Sequence, residues 1–206
     1  MHSLALPVLS GLNIGFTDLE ESWKLKRILV TGYRATELGI FSQKHPGIAI
    51  IKKAITKQLI ALLEEGLEWV IVSGQWGVEI WAAEAALELK QSYPELQLAV
   101  ITPFLKQDEK WSEEKRGIYN HVIEQADFVS SVTKTGYDGP WQFVEKDKFL
   151  LRNSDGLLLV YDEENEGSPK YIKKQAMLFA VKQAYAIINI TAYDLQSIAD
   201  DERQMY

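Results

Sequence analysis

The chain has 206 residues, a formal net charge of -7 and no cysteine, with 47% hydrophobic and 25% charged residues. That length and balance suit one globular domain with a full core, and they exclude disordered and fibrous classes. The missing cysteines exclude disulfides, thiolate metal sites and cysteine nucleophiles and fit a reducing, cytoplasmic setting, while the acidic charge disfavours general nucleic-acid binding.

Residues 1–25 are expected to be a loosely attached extension. Their apolar stretch has no basic leader and is broken by Pro7, Gly11 and Gly15, so neither a signal peptide nor a membrane span is expected. From Arg27, short β-branched runs alternate with longer helical stretches, the pattern of βαβ units. Strands are expected at 27–32, 68–74, 96–102, 127–133, 156–162 and 186–191, and most are continuously apolar, as strands covered on both faces must be. "DFVSSVT" at 127–133 is the exception and reads as an edge. Helices are expected at 47–65, 78–91, 109–125, 141–152, 169–184 and 192–199, followed by an acidic tail at 200–206. The alanines at 82, 83, 85 and 86 would let the second helix approach the sheet closely. The expected fold is a Rossmann-like three-layer α/β/α domain spanning 26–199 with a mostly parallel sheet.

In such a sheet, ligands bind beyond the carboxyl ends of the strands. The strongest signal there is Ser73-Gly74-Gln75-Trp76-Gly77, which runs straight into a helix. Two glycines three residues apart permit a tight turn and close backbone approach, and a helix N-terminus offers N–H groups and partial positive charge. The turn therefore reads as a cradle for phosphate or ribose phosphate, although it matches neither G-x-G-x-x-G nor G-x-x-x-x-G-K-[ST]. Glu79 suits a ribose hydroxyl or, more simply, a helix N-terminus. Trp76 and Trp81 suit base stacking or core and dimer-interface packing. After the first strand, Gly32, Tyr33 and Arg34 supply a turn and a guanidinium fork for phosphate, unless Arg34 pairs with Glu37. Gly167 and Ser168 precede Pro169 and a helix, so Ser168 reads as an N-cap or a second phosphate contact, and Thr102 is a weaker candidate. His2, His45 and His121 lack metal-ligand spacing, so no metal is expected. Nothing in the residues compels catalysis.

The stretches "VTGYRATELGIF", "EEGLEWVIVSGQWGVEIWAAEAA", "AVITPF", "SDGLLLVYD" and "EGSPKY" resemble the YpsA family of Gram-positive bacteria over about residues 27–195. That family sits in the SLOG group of Rossmann-like domains with the LOG phosphoribohydrolases and the DNA-processing protein DprA. The resemblance implies a nucleotide-derived ligand such as ADP-ribose or NAD, and a link to cell-division proteins. It carries the family's ligand loop onto Ser73, Gly74, Gln75, Trp76, Gly77 and Glu79, and the first-strand loop onto Gly32, Tyr33 and Arg34. The LOG loop P-G-G-x-G-T-x-x-E is replaced by "SGQWGVEIWAAE". A regulatory ligand-binding protein is therefore the leading expectation. The rival is glycosidic-bond hydrolysis with Glu79 or Glu84 positioning water, and exposed aromatic residues hint at self-association.

Overall fold

Strands that are apolar on both faces need helices on both sides, and the observed architecture supplies them. The computed structural model describes residues 25–204, so all but the last residue of the expected N-terminal extension lies outside the described residues. The strands are β1 (Arg27–Gly32), β2 (Trp69–Val72), β3 (Gln97–Thr102), β4 (Phe128–Ser131), β5 (Gly156–Val160) and β6 (Ala186–Ile190). They form one parallel sheet in the order β4-β3-β2-β1-β5-β6. The helices are α1 (Pro46–Glu64), α2 (Val78–Leu89), α3 (Glu113–Gln125), α4 (Trp141–Arg152), α5 (Pro169–Ala180) and α6 (Ala192–Gln204). Helix α1 packs against α2 and α6, α2 packs against α3, and α4 pairs with α5, which gives the expected Rossmann-like α/β fold.

Burial explains the elements. Ile28, Leu29 and Val30 of β1 and Leu157, Leu158 and Leu159 of β5 are fully buried. Each such side chain contributes about 1.5–3 kcal/mol of hydrophobic stabilisation. Helix α1 buries Ile48, Ile51, Ile55, Leu59 and Leu62, a stripe at helical spacing. His45 caps it, its Nδ1 accepting from the Gly47 N–H at 3.1 Å, as a structural histidine would. Helix α2 is buried almost all round, its four alanines letting it press between the sheet and its neighbours. Strand β4 is one edge of the sheet, β6 the other, and Phe128 and Val129 of β4 are exposed.

The boundaries depart from expectation where side chains redirect the backbone. Strand β2 ends at Val72 instead of 74, and α3 begins at Glu113, where Ser112 caps it, instead of 109. Helix α5 stops at Ala180, short of 184. Helix α6 runs on to Gln204, so residues 200–204 of the expected acidic tail are helical, with Glu202 paired to Lys53 at 3.2 Å. The crossover from β4 to β5 reverses the direction in which the sheet grows, leaving a crevice between the carboxyl ends of β1 and β5.

Candidate functional site

Beyond Val72 the chain leaves the ladder because a side chain captures its donors. Glu79, 3% exposed in the first turn of α2, folds its carboxylate back under the turn. Its Oε2 accepts from the Ser73 N–H (2.8 Å), the Ser73 hydroxyl (2.6 Å) and the Gln75 N–H (3.1 Å), and its Oε1 accepts from Thr31 Oγ1 (2.6 Å). The place read from sequence as a phosphate cradle therefore already holds an anion, the chain's own carboxylate, favoured there by the helix dipole. Oε1 keeps one acceptor position, and Glu79 faces the larger of the two chambers described below.

The rest of the turn is clamped. Gly77, at φ 133°, crosses the loop after β1 so closely that a Cβ would lie 2.5 Å from the Ala35 nitrogen. There Ala35 N–H donates to the Trp76 carbonyl at 3.2 Å and Val78 N–H to the Tyr33 carbonyl at 3.1 Å. Gly74 sits at φ 72°, and the Gln107 amide donates to the carbonyls of Ser73 (2.9 Å) and Gly74 (3.2 Å).

The loop after β1 is tied to the loop after β5. The Tyr33 hydroxyl donates to the carbonyls of Asp162 and Asn165 and accepts from the Asp162 N–H at 3.0 Å, so this ring is structural and lines neither chamber. Gly32 and Gly167 are packing glycines: a Cβ would stand 2.7 Å from the Val160 carbonyl oxygen and 2.8 Å from the Tyr33 ring, respectively. Glu37 accepts from the Arg34 N–H (2.7 Å), the Ser168 N–H (2.6 Å) and the Ser168 hydroxyl (2.8 Å). Ser168 thus makes no side-chain cap on α5, and its donors serve a carboxylate within the protein. The Arg34 guanidinium is exposed and forms no ion pair among the described residues, so it does not pair with Glu37.

Two chambers open over these loops and share Arg34, Gln75 and Phe143. The smaller, about 280 Å³, is aromatic and polar, with Trp76, Trp111, Phe104, Gln107, Ser73 and Lys115 in its wall. Trp76 meets Trp111 edge-on at 5.7 Å, and Lys115 lies over the Trp76 ring at 5.2 Å. The larger, about 510 Å³, lies beyond the end of β1 and is walled by Thr31, Gly32, Glu79 and, from the connection after β5, Ser168, together with α4 and α5. Thr102 lines neither chamber; its hydroxyl donates to the Phe104 carbonyl at 3.0 Å. Trp81 is 1% exposed and belongs to the core. Glu84 lies 3.6 Å from Lys52 of α1 and lines neither chamber; burial pushes its carboxyl above the ordinary range against the pull of Lys52.

Sequence reasoning passed over Lys146 and Asp147, which line the larger chamber from α4. Their side chains are 8% and 12% exposed and meet at 2.6 Å. Burial raises the Asp147 carboxyl above its ordinary value, Lys146 pulls it down, and Glu79 adds to the rise. The signal was available: the helical wheel puts both residues on the face of the buried Leu150 and Leu151. Among the described residues, no cluster of three or more potential metal ligands occurs, and no helix is long and apolar enough to cross a membrane.

A model of the YspA SLOG family matches residues 28–195. A UPF0398 protein of Brevibacillus brevis is 61% identical over 180 residues, covering 87% of this chain and 96% of its own. Another from Lysinibacillus sphaericus is 57% identical over 176 residues, covering 85% and 98%, and one from Halalkalibacterium halodurans is 50% identical over 178 residues, covering 86% and 94%. Among solved structures, DNA processing protein A from Helicobacter pylori, described for its single-stranded DNA binding mode, matches with a TM-score of 0.52 at 15% identity. The match covers 93% of this chain and 86% of that one. At that identity the likeness is one of fold.

Proposed function

Given that the chain belongs to the YpsA family of SLOG domains, we propose that it binds a nucleotide-derived ligand of the ADP-ribose or NAD type and acts as a regulatory ligand-binding protein. The observation that carries this reading is the paired cleft beyond the strand ends, one lobe aromatic and the other lined by Lys146 and Lys174 as well as Glu79 and Asp147, with Arg34, which forms no ion pair among the described residues, between them. Its volume is of the order that small-molecule sites occupy, roughly 300–1,000 Å³. The base enters the aromatic lobe beside Trp76 and Phe104. A ribose hydroxyl donates to the remaining acceptor of Glu79 Oε1, and Arg34 and the Gln75 amide take phosphate oxygens. Because Glu79 is occupied by four donors, the Gly-rich turn acts as a rigid floor, and the phosphates are met by side chains. Occupancy then tunes association with cell-division proteins, a step that rests on the family resemblance alone.

Calorimetric titration with ADP-ribose and with adenosine tests the reading. ADP-ribose is expected to bind, adenosine more weakly, and Arg34→Ala and Gln75→Ala to weaken ADP-ribose at least about tenfold, or 1.4 kcal/mol. Unchanged affinity in both variants sinks it. Glycosidic-bond hydrolysis is less well supported, since Glu84 is remote and Glu79 already accepts four hydrogen bonds; release of free base from ADP-ribose or AMP would revive it. Single-stranded DNA binding belongs to the Helicobacter pylori protein, and this chain's net charge of -7 opposes it.

A further inference from the structure

We infer that Lys146 is the anion contact of the larger chamber, and that Asp147 releases it and takes up a proton from solvent when the anion arrives. The inference rests on the nucleotide reading and adds to it a second cationic contact, beside Arg34, for the ligand's charge.

Adjacent residues on a helix point in different directions and do not ordinarily meet. Lys146 and Asp147 meet at 2.6 Å because both are turned into the chamber between α4 and α5. The pair is nearly out of water yet poorly supported: among the described residues the second Asp147 oxygen has one contact, the Gln175 amide at 3.4 Å, and Oδ1 has no partner beside Lys146. A buried ion pair with so few supporting hydrogen bonds recovers little of its desolvation cost. An entering phosphate offers Lys146 a better partner, with more acceptor oxygens and more charge.

Asp147 then faces the anion and Glu79 together. The charged groups lining its surroundings are Lys146 on its own helix, Arg34 after β1, Glu79 on α2 and Lys174 on α5. Burial already lifts its carboxyl, Glu79 lifts it further, and Lys146 is the influence that lowers it. Withdrawing Lys146 removes that lowering, so the carboxyl gains a proton. One proton passes from solvent to a carboxylate oxygen of Asp147, and no covalent bond to the ligand forms. The sign follows: binding linked to proton uptake strengthens as pH falls and weakens as it rises.

The test is calorimetric titration of the full chain with ADP-ribose, whose phosphates stay ionised near neutrality, in buffers of low and high ionisation enthalpy. The wild type is expected to take up a fraction of a proton per ligand. Asp147→Asn should bind more tightly with no uptake, because Lys146 then has no competitor, and Lys146→Met should bind at least about tenfold more weakly. Lys146→Met strands a buried carboxylate, so Lys146→Met/Asp147→Asn serves as the neutral, folded control and should be equally weak. Equal affinity in all variants without proton uptake overturns the inference and leaves the nucleotide reading standing. A parallel arm measures thermal stability in sulfate against chloride at constant ionic strength. If ADP-ribose fails to bind but sulfate stabilises the wild type more than it stabilises Lys146→Met, the nucleotide reading falls and the anion site survives. If neither arm depends on Lys146, the inference is wrong.

Discussion

Replacing Glu79 by glutamine isolates the charge that organises the Gly-rich turn. The amide oxygen can still accept from Ser73 and Gln75, and the Thr31 hydroxyl can turn to accept from the new amide, so shape and most contacts persist. What is lost is the charge assistance on four hydrogen bonds of 2.6 to 3.1 Å. Bonds to charged groups are worth about 1.5–3 kcal/mol each against about 1 kcal/mol for neutral ones. Relief of the buried charge offsets part of the difference, leaving an expected loss of about 2–3 kcal/mol. In a domain of this size that lowers the Tm by roughly 5–10 °C. Glu79→Ala, which leaves the buried Ser73 N–H and hydroxyl and the half-buried Gln75 N–H without an acceptor, should cost about 3 kcal/mol or more. Urea unfolding followed by circular dichroism measures both. If both variants unfold within about 0.5 kcal/mol of wild type, the carboxylate does not organise the turn.

Gly77→Ala combines a positive φ with a Cβ 2.5 Å from the Ala35 nitrogen, so it should lose at least about 3 kcal/mol in the same assay. Tyr33→Phe removes the hydroxyl that joins the loops after β1 and β5; about 1–3 kcal/mol and faster amide exchange across 162–165 are expected. Burial acts to raise the Asp127 carboxyl, but bonds from Lys90 and the Leu98 N–H outweigh it and hold the group below its ordinary value of 3.8. Its contribution is therefore present above that value and lost as pH falls below it, through the lowered value of the folded state. Asp127→Asn should flatten the acid limb of a plot of stability against pH, and an unchanged limb would contradict the assignment. Ligand binding in the aromatic lobe should quench tryptophan emission, and Trp111→Phe should reduce the change.

The sheet was legible because burial on both faces writes itself as apolar runs. Strand β1 falls where "RILVTG" placed it, and α4 where its wheel placed it. Strand β2 was over-extended because Ser73 and Gly74 look like its continuation; their departure is caused by hydrogen bonds to Glu79, six residues on from Ser73, which no local propensity encodes. The same bonds mean that the donors which the Gly-rich turn offers on sequence grounds to a phosphate are taken by Glu79. A carboxylate in the first helical turn reaches the N–H groups that a phosphate would, and the sequence pattern is alike for both. Ser168 was read as a cap for a similar reason: Glu37 takes its donors from 131 residues away. Lys146 and Asp147 were missed because charged residues on a helix suggest solvent, whereas a cavity between α4 and α5 lets a paired charge stay inside.

Whether the paired cleft binds a nucleotide derivative is read out by thermal unfolding of the purified chain with and without ADP-ribose. A ligand at a hundred times its Kd adds about 2.7 kcal/mol to the folded state, which is roughly 5–10 °C in a domain of this size. A rise of that order is expected in the wild type and a smaller one in Arg34→Ala. A wild-type Tm that stays fixed across ADP-ribose, NAD, AMP and ATP at saturating concentrations would contradict it.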